Sequence, residues 1–455
     1  MEDNLKGYKG KAKEFLKRNK LNIWDIVSLK TEKTQLEGIL LPRYEHSAPN
    51  LIELKLENNY NIGININEIT EIRKIGKKEA HYKIPEKKFP HNNKLPNIKM
   101  LGTGGTVASR LDYTTGAVIP SFTPGELFSS VPELAEICNL ECESVFEILS
   151  ENMKPEDWQK LAEKIKEAAN SGIEGIIIGH GTDTMSFTSA ALSFMLKNLS
   201  IPVVLTGSQR SSDRPSSDAA LNLINAATVA TSDIAEVVVV MLGSPSHNYG
   251  LIHRGTLVRK MHSSVRDTFR TIDDIPLGMV RNRIVNMFKQ NYNKRKKQEV
   301  IALTKFEKKV ALIYSYPSLE REVIDFYIDK KYKGIVLAGT GLGHVSNTLY
   351  KAIERATQEG ITILMTTQTL HGFTGMNVYS TGRELLHIGV IPGRNLLPET
   401  GYVKLGWVLG QTSEPNEIKE LLLKNIAGEF IDREIPIAFN YNIDQLLKDK
   451  KLLLQ

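Results

Sequence analysis

The sequence predicts an α/β protein in which a small N-terminal β-barrel precedes a body of two lobes, each built on a parallel sheet. Three observations predict it. Between Asn22 and about Ile75, short segments alternate apolar and polar residues and are separated by turn signals. From Ile98 onward, short continuous apolar runs recur with helical stretches between them, the texture of strands buried on both faces. Between these regions, residues 81–95 carry Pro85 and Pro90 and no period, and read as a linker.

The elements follow in chain order. Residues 1–20 are polar, with Lys6, Lys9, Lys11, Lys13, Lys17 and Arg18, and read as a helix. Trp24–Leu29, Gln35–Leu41 and Leu51–Leu56 are expected barrel strands, and Pro42, Pro49 and Asn58-Asn59 mark the breaks between them. Residues 1–80 are therefore assigned to the barrel and residues 96–290 to the first α/β lobe. In that lobe Ile98-Lys99-Met100-Leu101 runs into a glycine turn. Pro155-Glu156-Asp157 opens a helix whose apolar stripe is Trp158, Leu161, Ile165 and Ala168. Proline lacks an N–H that the first turn would leave unbonded, and acids suit the positive end of the helix. Strands are expected at Ile176–Ile178, Val203–Leu205 and Val237–Leu242, with helices near 184–198 and 217–230. Residues 291–309, which include Lys294-Arg295-Lys296-Lys297, read as a basic linker. Val310–Tyr314, Ile335–Ala338 and Ile361–Met365 form a second, smaller series, so residues 310–430 make the second lobe and 431–455 a tail.

Composition narrows the class. The chain has 455 residues, of which 41% are hydrophobic and 24% charged, which excludes a disordered or collagen-like protein. Two cysteines cannot staple a chain of this length. Cys138 and Cys142 have no further ligands nearby to complete a metal site, and read as plain thiols. No apolar run approaches the ~20 residues that span a bilayer, and Met1-Glu2-Asp3-Asn4 does not begin a secretory signal. A cytoplasmic location is expected, with neither a membrane nor DNA as partner. Charge is uneven: residues 1–95 hold 19 Lys and Arg against 13 Asp and Glu, and the remainder is balanced at 39 of each. The excess suits contact with a polyanion such as RNA, and equally suits a solubilising lysine-rich surface.

Two segments carry chemistry. In Met100-Leu101-Gly102-Thr103-Gly104-Gly105-Thr106-Val107-Ala108-Ser109, paired glycines follow a strand, where the carboxyl edge of a parallel sheet binds ligands. Glycines allow a sharp turn that leaves N–H groups free, so a hydroxyl there can be a nucleophile beside its own oxyanion hole. In Gly175-Ile176-Ile177-Ile178-Gly179-His180-Gly181-Thr182-Asp183-Thr184-Met185, a hydroxyl and a carboxylate are adjacent on a turn that opens a helix. Such a pair can hold a substrate ammonium and position a nucleophile, or simply cap the helix. His180 invites a Ser/His/Asp reading, but no nucleophile elbow is present, and a packed histidine is expected.

Both segments resemble, along their full length, the two signature motifs of the type I/II asparaginase family. Other positions fit in order: Tyr113, where that family keeps a catalytic tyrosine on a lid; Ser150, where it keeps a substrate-binding serine; and Lys260, where it keeps a catalytic lysine. The resemblance covers roughly residues 96–430. It implies Thr106 or Thr182 as nucleophile, Thr106 being preferred, and Tyr113 as a neighbouring hydroxyl. Thr182, Asp183 and Lys260 form the second set. Lys260 must be neutral to accept a proton, a form that burial favours. Ser150, Thr182, Asp183 and Gly105 would bind the substrate, and the backbone N–H groups of the glycine turns would stabilise the oxyanion. No metal is implied.

Thr206-Gly207-Ser208-Gln209-Arg210-Ser211-Ser212-Asp213-Arg214-Pro215-Ser216-Ser217-Asp218, Val258-Arg259-Lys260-Met261-His262 and Gln368-Thr369-Leu370-His371-Gly372 resemble one branch of this fold family, the D subunits of the archaeal-type glutamyl-tRNA(Gln) amidotransferases. That branch carries an N-terminal β-barrel. Its membership implies a glutaminase within a ligase of protein biosynthesis that passes ammonia to a partner, the E subunit. It also implies a homodimeric core, a heterotetramer of two D and two E subunits, and tRNA(Gln) reached through the complex. This chain would bind no cofactor, with ATP and magnesium held by the partner. Gly10-Lys11 and Gly76-Lys77 are followed by Ala12 and Lys78, so neither is a Walker A motif. Gly339-Thr340-Gly341-Leu342-Gly343 would shape the pocket of a second protomer, and Glu384 is a candidate for the acid donated across the dimer. A free L-asparaginase with an appended domain is the alternative. The intact Thr, Tyr, Asp and Lys set argues against a catalytically dead scaffold. Whether glutamine or asparagine is preferred stays open, because one methylene is worth only ~1–3 kcal/mol in a pocket.

Overall fold

The computed structural model describes residues 5, 7–43, 48–57, 60–78, 89–104, 109–111, 118–120, 131–211, 216–245, 249–435, 438–439 and 443. Near the N-terminus, helix α1 (Gly10–Arg18) is followed by β1 (Asp25–Thr31), β2 (Gln35–Leu40), β3 (Leu51–Leu56), β4 (Asn61–Asn65) and β5 (Ile69–Lys77). These strands form one antiparallel sheet in the order β4-β3-β2-β1-β5. The alternation seen in the sequence is the alternation of burial: Val27, Leu29, Leu40, Ile52 and Leu54 face a separate core that α1 closes with Ala12 and Leu16. Ladders join neighbours along that order; a β4–β5 ladder, which would close a barrel, is not among those of the described residues.

The first lobe holds β6 (Asn97–Gly102), β7 (Asn139–Ser144), α2 (Pro155–Asn170), β8 (Gly175–Gly179), α3 (Met185–Met195), β9 (Val203–Thr206), α4 (Ala219–Ala230) and β10 (Val237–Leu242). Then come β11 (Gly250–Arg254), the hairpin β12 (Val258–Lys260) and β13 (Phe269–Thr271), β14 (Gly278–Arg281) and β15 (Ile284–Met287). One eight-stranded sheet runs β15-β14-β11-β10-β9-β8-β6-β7. The five strands β7, β6, β8, β9 and β10 are parallel; β11, β14 and β15 extend it antiparallel. The sheet is therefore mixed, not parallel throughout. The antiparallel edge strands are only four or five residues long, too short to show a period of their own.

The continuous apolar runs arise because both faces are covered. Ile176 and Ile178 face α2 and α3, whereas Ile177 faces α4 through Leu223, Ala226 and Ala227. The α2 stripe of Trp158, Leu161, Ile165 and Ala168 is buried as its spacing predicts.

The second lobe holds β16 (Val310–Tyr314), α5 (Glu322–Asp329), β17 (Gly334–Gly339), α6 (Tyr350–Gln358), β18 (Thr362–Thr367), α7 (Ser380–His387), β19 (Ile391–Pro392), α8 (Pro398–Gln411) and α9 (Pro415–Leu423). Its sheet is parallel in the order β16-β17-β18-β19. The lobes share one core: Val336, Leu364, Leu405 and Trp407 pack into the same cluster as Phe194, Met195 and Val239. Helix α8 lies against α3, and the Trp407 and Phe194 rings stack with centroids 5.9 Å apart. This interlobe helix sets where the second lobe stands relative to the turn that opens α3.

Candidate active site

Strands β6 and β8 are adjacent, parallel and in register, with Gly102 opposite Gly179, so the two glycine turns leave the sheet side by side. Their union is reinforced locally: both the backbone N–H and the hydroxyl of Thr103 donate to Gly179 O, each at 3.0 Å. Gly104 has φ +99°, and a Cβ there would stand 2.3 Å from Ile148 O, so this position admits only glycine. Gly105, Thr106 and Tyr113 lie outside the described residues. On the second turn, a Cβ on Gly181 would stand 2.7 Å from Ser150 Cβ. Ser150 is buried in the turn before α2, and its carbonyl accepts the Thr184 hydroxyl at 2.7 Å. Ser150 is thus brought against the turn that carries Thr182 and Asp183.

Lys260 comes from 78 residues further along and closes the group. Its Nζ donates to Thr182 Oγ1 at 2.9 Å and to Asp183 Oδ1 at 2.7 Å. The lysine sits at the end of β12, pinned opposite Phe269, which is fully buried in the shared core. Beyond it, Met261 N donates to Thr268 O and His262 N to Thr268 Oγ1, both at 2.8 Å, so the hairpin end is fixed. The Lys260 side chain is 12% exposed, whereas that of Asp183 is 67% exposed and opens outward. Chemically, an amine held at hydrogen-bond distance from a hydroxyl takes that hydroxyl's proton when neutral. An open carboxylate beside it is placed to receive a substrate ammonium.

His180 lies beneath this turn, not in it. It is wholly buried; Nδ1 donates to Gly181 O at 2.6 Å, and Nε2 accepts from the Thr188 hydroxyl at 2.8 Å. Thr188 in turn accepts from Trp158 Nε1–H at 3.0 Å. This one-way chain defines a neutral tautomer, and burial pushes the imidazole down to about 4. The histidine therefore braces the Gly181 carbonyl.

A cavity of about 300 Å³ opens beside Lys260, lined by Asp183, Phe187, Arg259, Lys260, His262 and Glu399 among others. The sequence reading did not place Glu399 here. It stands in the first turn of α8, where an acid after proline is an ordinary helix start, and nothing local marks its contact with Arg259, 140 residues earlier. Glu384 lies on α7 in the second lobe. The glycine turn after β17 is tied to the loop after β18, since Thr367 Oγ1 donates to Gly341 O and Gln368 N to Gly339 O. Cys138 and Cys142 are free thiols, and burial pushes both up to about 12.

The fold with these two turns defines an asparaginase-like protein. The family profile for Asparaginase, N-terminal matches residues 97–293, that for the Glutaminase/Asparaginase C-terminal domain residues 309–422, and that for the GatD N-terminal domain residues 21–75. Among solved structures, the thermostable L-asparaginase from Thermococcus kodakarensis superposes with a TM-score of 0.66 at 32% identity, covering 74% of this chain and all of that one. A probable cytoplasmic L-asparaginase from Campylobacter jejuni gives 0.61 at 29% identity, covering 72% of this chain and all of that one. Similarity over nearly the whole length is found with the D subunit of glutamyl-tRNA(Gln) amidotransferase from Pyrococcus furiosus: 50% identity, covering 94% of this chain and 99% of the relative. The same subunit from Saccharolobus solfataricus is 46% identical, with 95% and 97% covered. The chain belongs to the family of glutamyl-tRNA(Gln) amidotransferase D subunits.

Proposed function

We propose that this chain is the glutaminase subunit of a tRNA-dependent amidotransferase: it hydrolyses the side-chain amide of glutamine, and a partner subunit uses the ammonia to convert Glu-tRNA(Gln) to Gln-tRNA(Gln). The observation that carries the chemistry is the Lys260–Thr182–Asp183 group at the carboxyl edge of the sheet. In this reading Thr106 attacks the amide carbon, with Tyr113 as its neighbouring hydroxyl. Lys260 acts on Thr182, and Asp183 holds the substrate ammonium. Ser150 takes its carboxylate, and N–H groups of the glycine turns, Gly105 included, hold the oxyanion, a contribution of ~3–4 kcal/mol per donor.

The assembly part rests on family membership. The GatD N-terminal domain match separates this chain from the two asparaginase structures, which cover no more than 74% of it. We assign the partner as the E subunit, in a heterotetramer of two D and two E subunits around a homodimer of this chain. The ATP and magnesium step belongs to the partner, consistent with the lack of a Walker A sequence here. The basic N-terminal domain faces tRNA or the partner, and the complex works in the cytoplasm. No helix among the described residues is long and apolar enough to cross a membrane.

Purified chain assayed with glutamine and asparagine tests the reading. Ammonia release that rises on adding the partner and charged tRNA supports it. Rapid asparagine hydrolysis that neither addition changes supports a free asparaginase instead.

A further inference from the structure

The cavity beside Lys260 has a second wall that the hydrolysis scheme leaves unused. Arg259 Nη1 lies 3.0 Å from Glu399 Oε1 and 3.1 Å from Oε2, so one guanidinium nitrogen bridges both carboxylate oxygens. The pair is largely withdrawn from water, with side chains 23% and 12% exposed. Tyr314, at the end of β16, senses both charges: burial and then the Glu399 carboxylate push its phenol up, and Arg259 opposes them. Beside Glu399, the Thr400 hydroxyl donates to Thr256 O at 2.9 Å. The first turn of α8 thus grips the β12 strand at two points, two residues before it and one residue short of Lys260.

A buried ion pair is a poor device for stability, because a well-packed apolar pair often does as well or better. Its position is what matters here. An unpaired guanidinium next to Lys260 would repel the ammonium and ease loss of its proton; an unpaired carboxylate would do the reverse. Among the described residues, further charged or titratable groups stand near Lys260 on the elements around it. Asp183 faces it from the 180–184 turn. His262 follows on its own strand, with Nδ1 occupied by the N–H groups of Ser264 and Val265. Arg270 lies opposite Arg259 on β13, paired with Asp267.

We propose that Glu399 is a positioning residue for amide hydrolysis: by holding Arg259 it fixes both the reach of Lys260 toward Thr182 and the charge beside the Lys260 ammonium. The second lobe then tunes the base of the first. This rests on the reading of Lys260 as the base, and the test separates the two.

The experiment is the pH profile of glutamine-dependent ammonia release by the full chain with its partner, for wild type, Glu399→Gln, Arg259→Gln, the double variant and Lys260→Ala. Glu399→Gln leaves an uncompensated positive charge, so the acid limb moves to lower pH. Arg259→Gln moves it to higher pH, and the double variant returns it close to wild type. A merely structural pair would lower the rate at every pH without moving the limb. Single variants whose limbs stay put, or move in the same direction, overturn the proposal. A Lys260→Ala enzyme at full rate overturns the base assignment beneath it, whereas an inactive Lys260→Ala enzyme with unmoved limbs in the other variants overturns only the role of Glu399. If Glu399→Gln does not fold, Arg259→Gln carries the test, since its limb is required to move upward.

Discussion

Lys260 meets Thr182 because three separate constraints agree: the end of β8 sets Thr182, Phe269 anchors β12 in the core, and Thr268 fixes the residues beyond. Replacing Lys260 with Ala is expected to lower ammonia release by about 10²–10⁴-fold, the usual worth of a general base, while thermal denaturation shows an intact fold. A retained rate would remove the lysine from the chemistry. Gly181→Ala tests the packing of the turn. Its new Cβ meets Ser150 at 2.7 Å, so Ser150 is displaced, and KM for glutamine should rise more than kcat falls. At this scale the sequence was informative where chemistry is local. The Thr182-Asp183 pair and the packed His180 follow from one short segment. The Lys260 contact was accessible only through family resemblance, because nothing in Val258-Arg259-Lys260 points to a hydroxyl 78 residues earlier. The Glu399 contact had no sequence signal at all.

At the scale of elements, α8 carries the junction between lobes. Its Lys404 is wholly buried; Nζ pairs with Glu429 Oε1 at 2.6 Å and donates to Leu422 O at 2.9 Å and Lys424 O at 2.6 Å. Phe430 lies over the ammonium at 4.3 Å. Glu429 also accepts the N–H groups of Ile426 and Ala427, so the segment after α9 is hooked onto α8. Lys404→Ala leaves a buried carboxylate unpaired and is expected to cost about 3–5 kcal/mol in denaturant unfolding. A loss below about 1 kcal/mol would show that the hook is dispensable. The central strands were readable because burial on both faces makes runs such as Ile176-Ile177-Ile178 continuous. The antiparallel edge was not, because β11, β14 and β15 owe their pairing to the sheet they join, a tertiary effect that overrides weak local preference.

For the whole molecule, buried titratable groups among the described residues tie stability to pH. Burial holds His180 at about 4 and His253 at about 3, below the ordinary 6.5. The folded protein therefore binds fewer protons than the unfolded chain, and the stability these histidines contribute is present above pH 6.5 and lost as pH falls through that window. Asp273 runs the other way: burial raises it to about 7 from 3.8, so its contribution is lost as pH rises from about 4 to 7. Burial also lowers His371 from 6.5, so between about pH 6.5 and 4 the histidines outweigh Asp273 and stability should fall on acidification. Unfolding followed across that range checks the slope, and His253→Gln should make it shallower.

The N-terminal sheet domain has its own core, so a chain lacking residues 1–78 is expected to keep a folded two-lobed body but to bind the partner or tRNA more weakly in a pull-down. An unchanged complex would make that domain incidental. The central claim is that this chain makes ammonia and a partner consumes it. The most direct measurement is Gln-tRNA(Gln) formation by the reconstituted complex carrying Lys260→Ala, supplied either with glutamine or with free ammonium. The account predicts that product from glutamine disappears while product from ammonium persists. Product from glutamine at the wild-type rate, or loss of product from both sources in a correctly assembled complex, would contradict it.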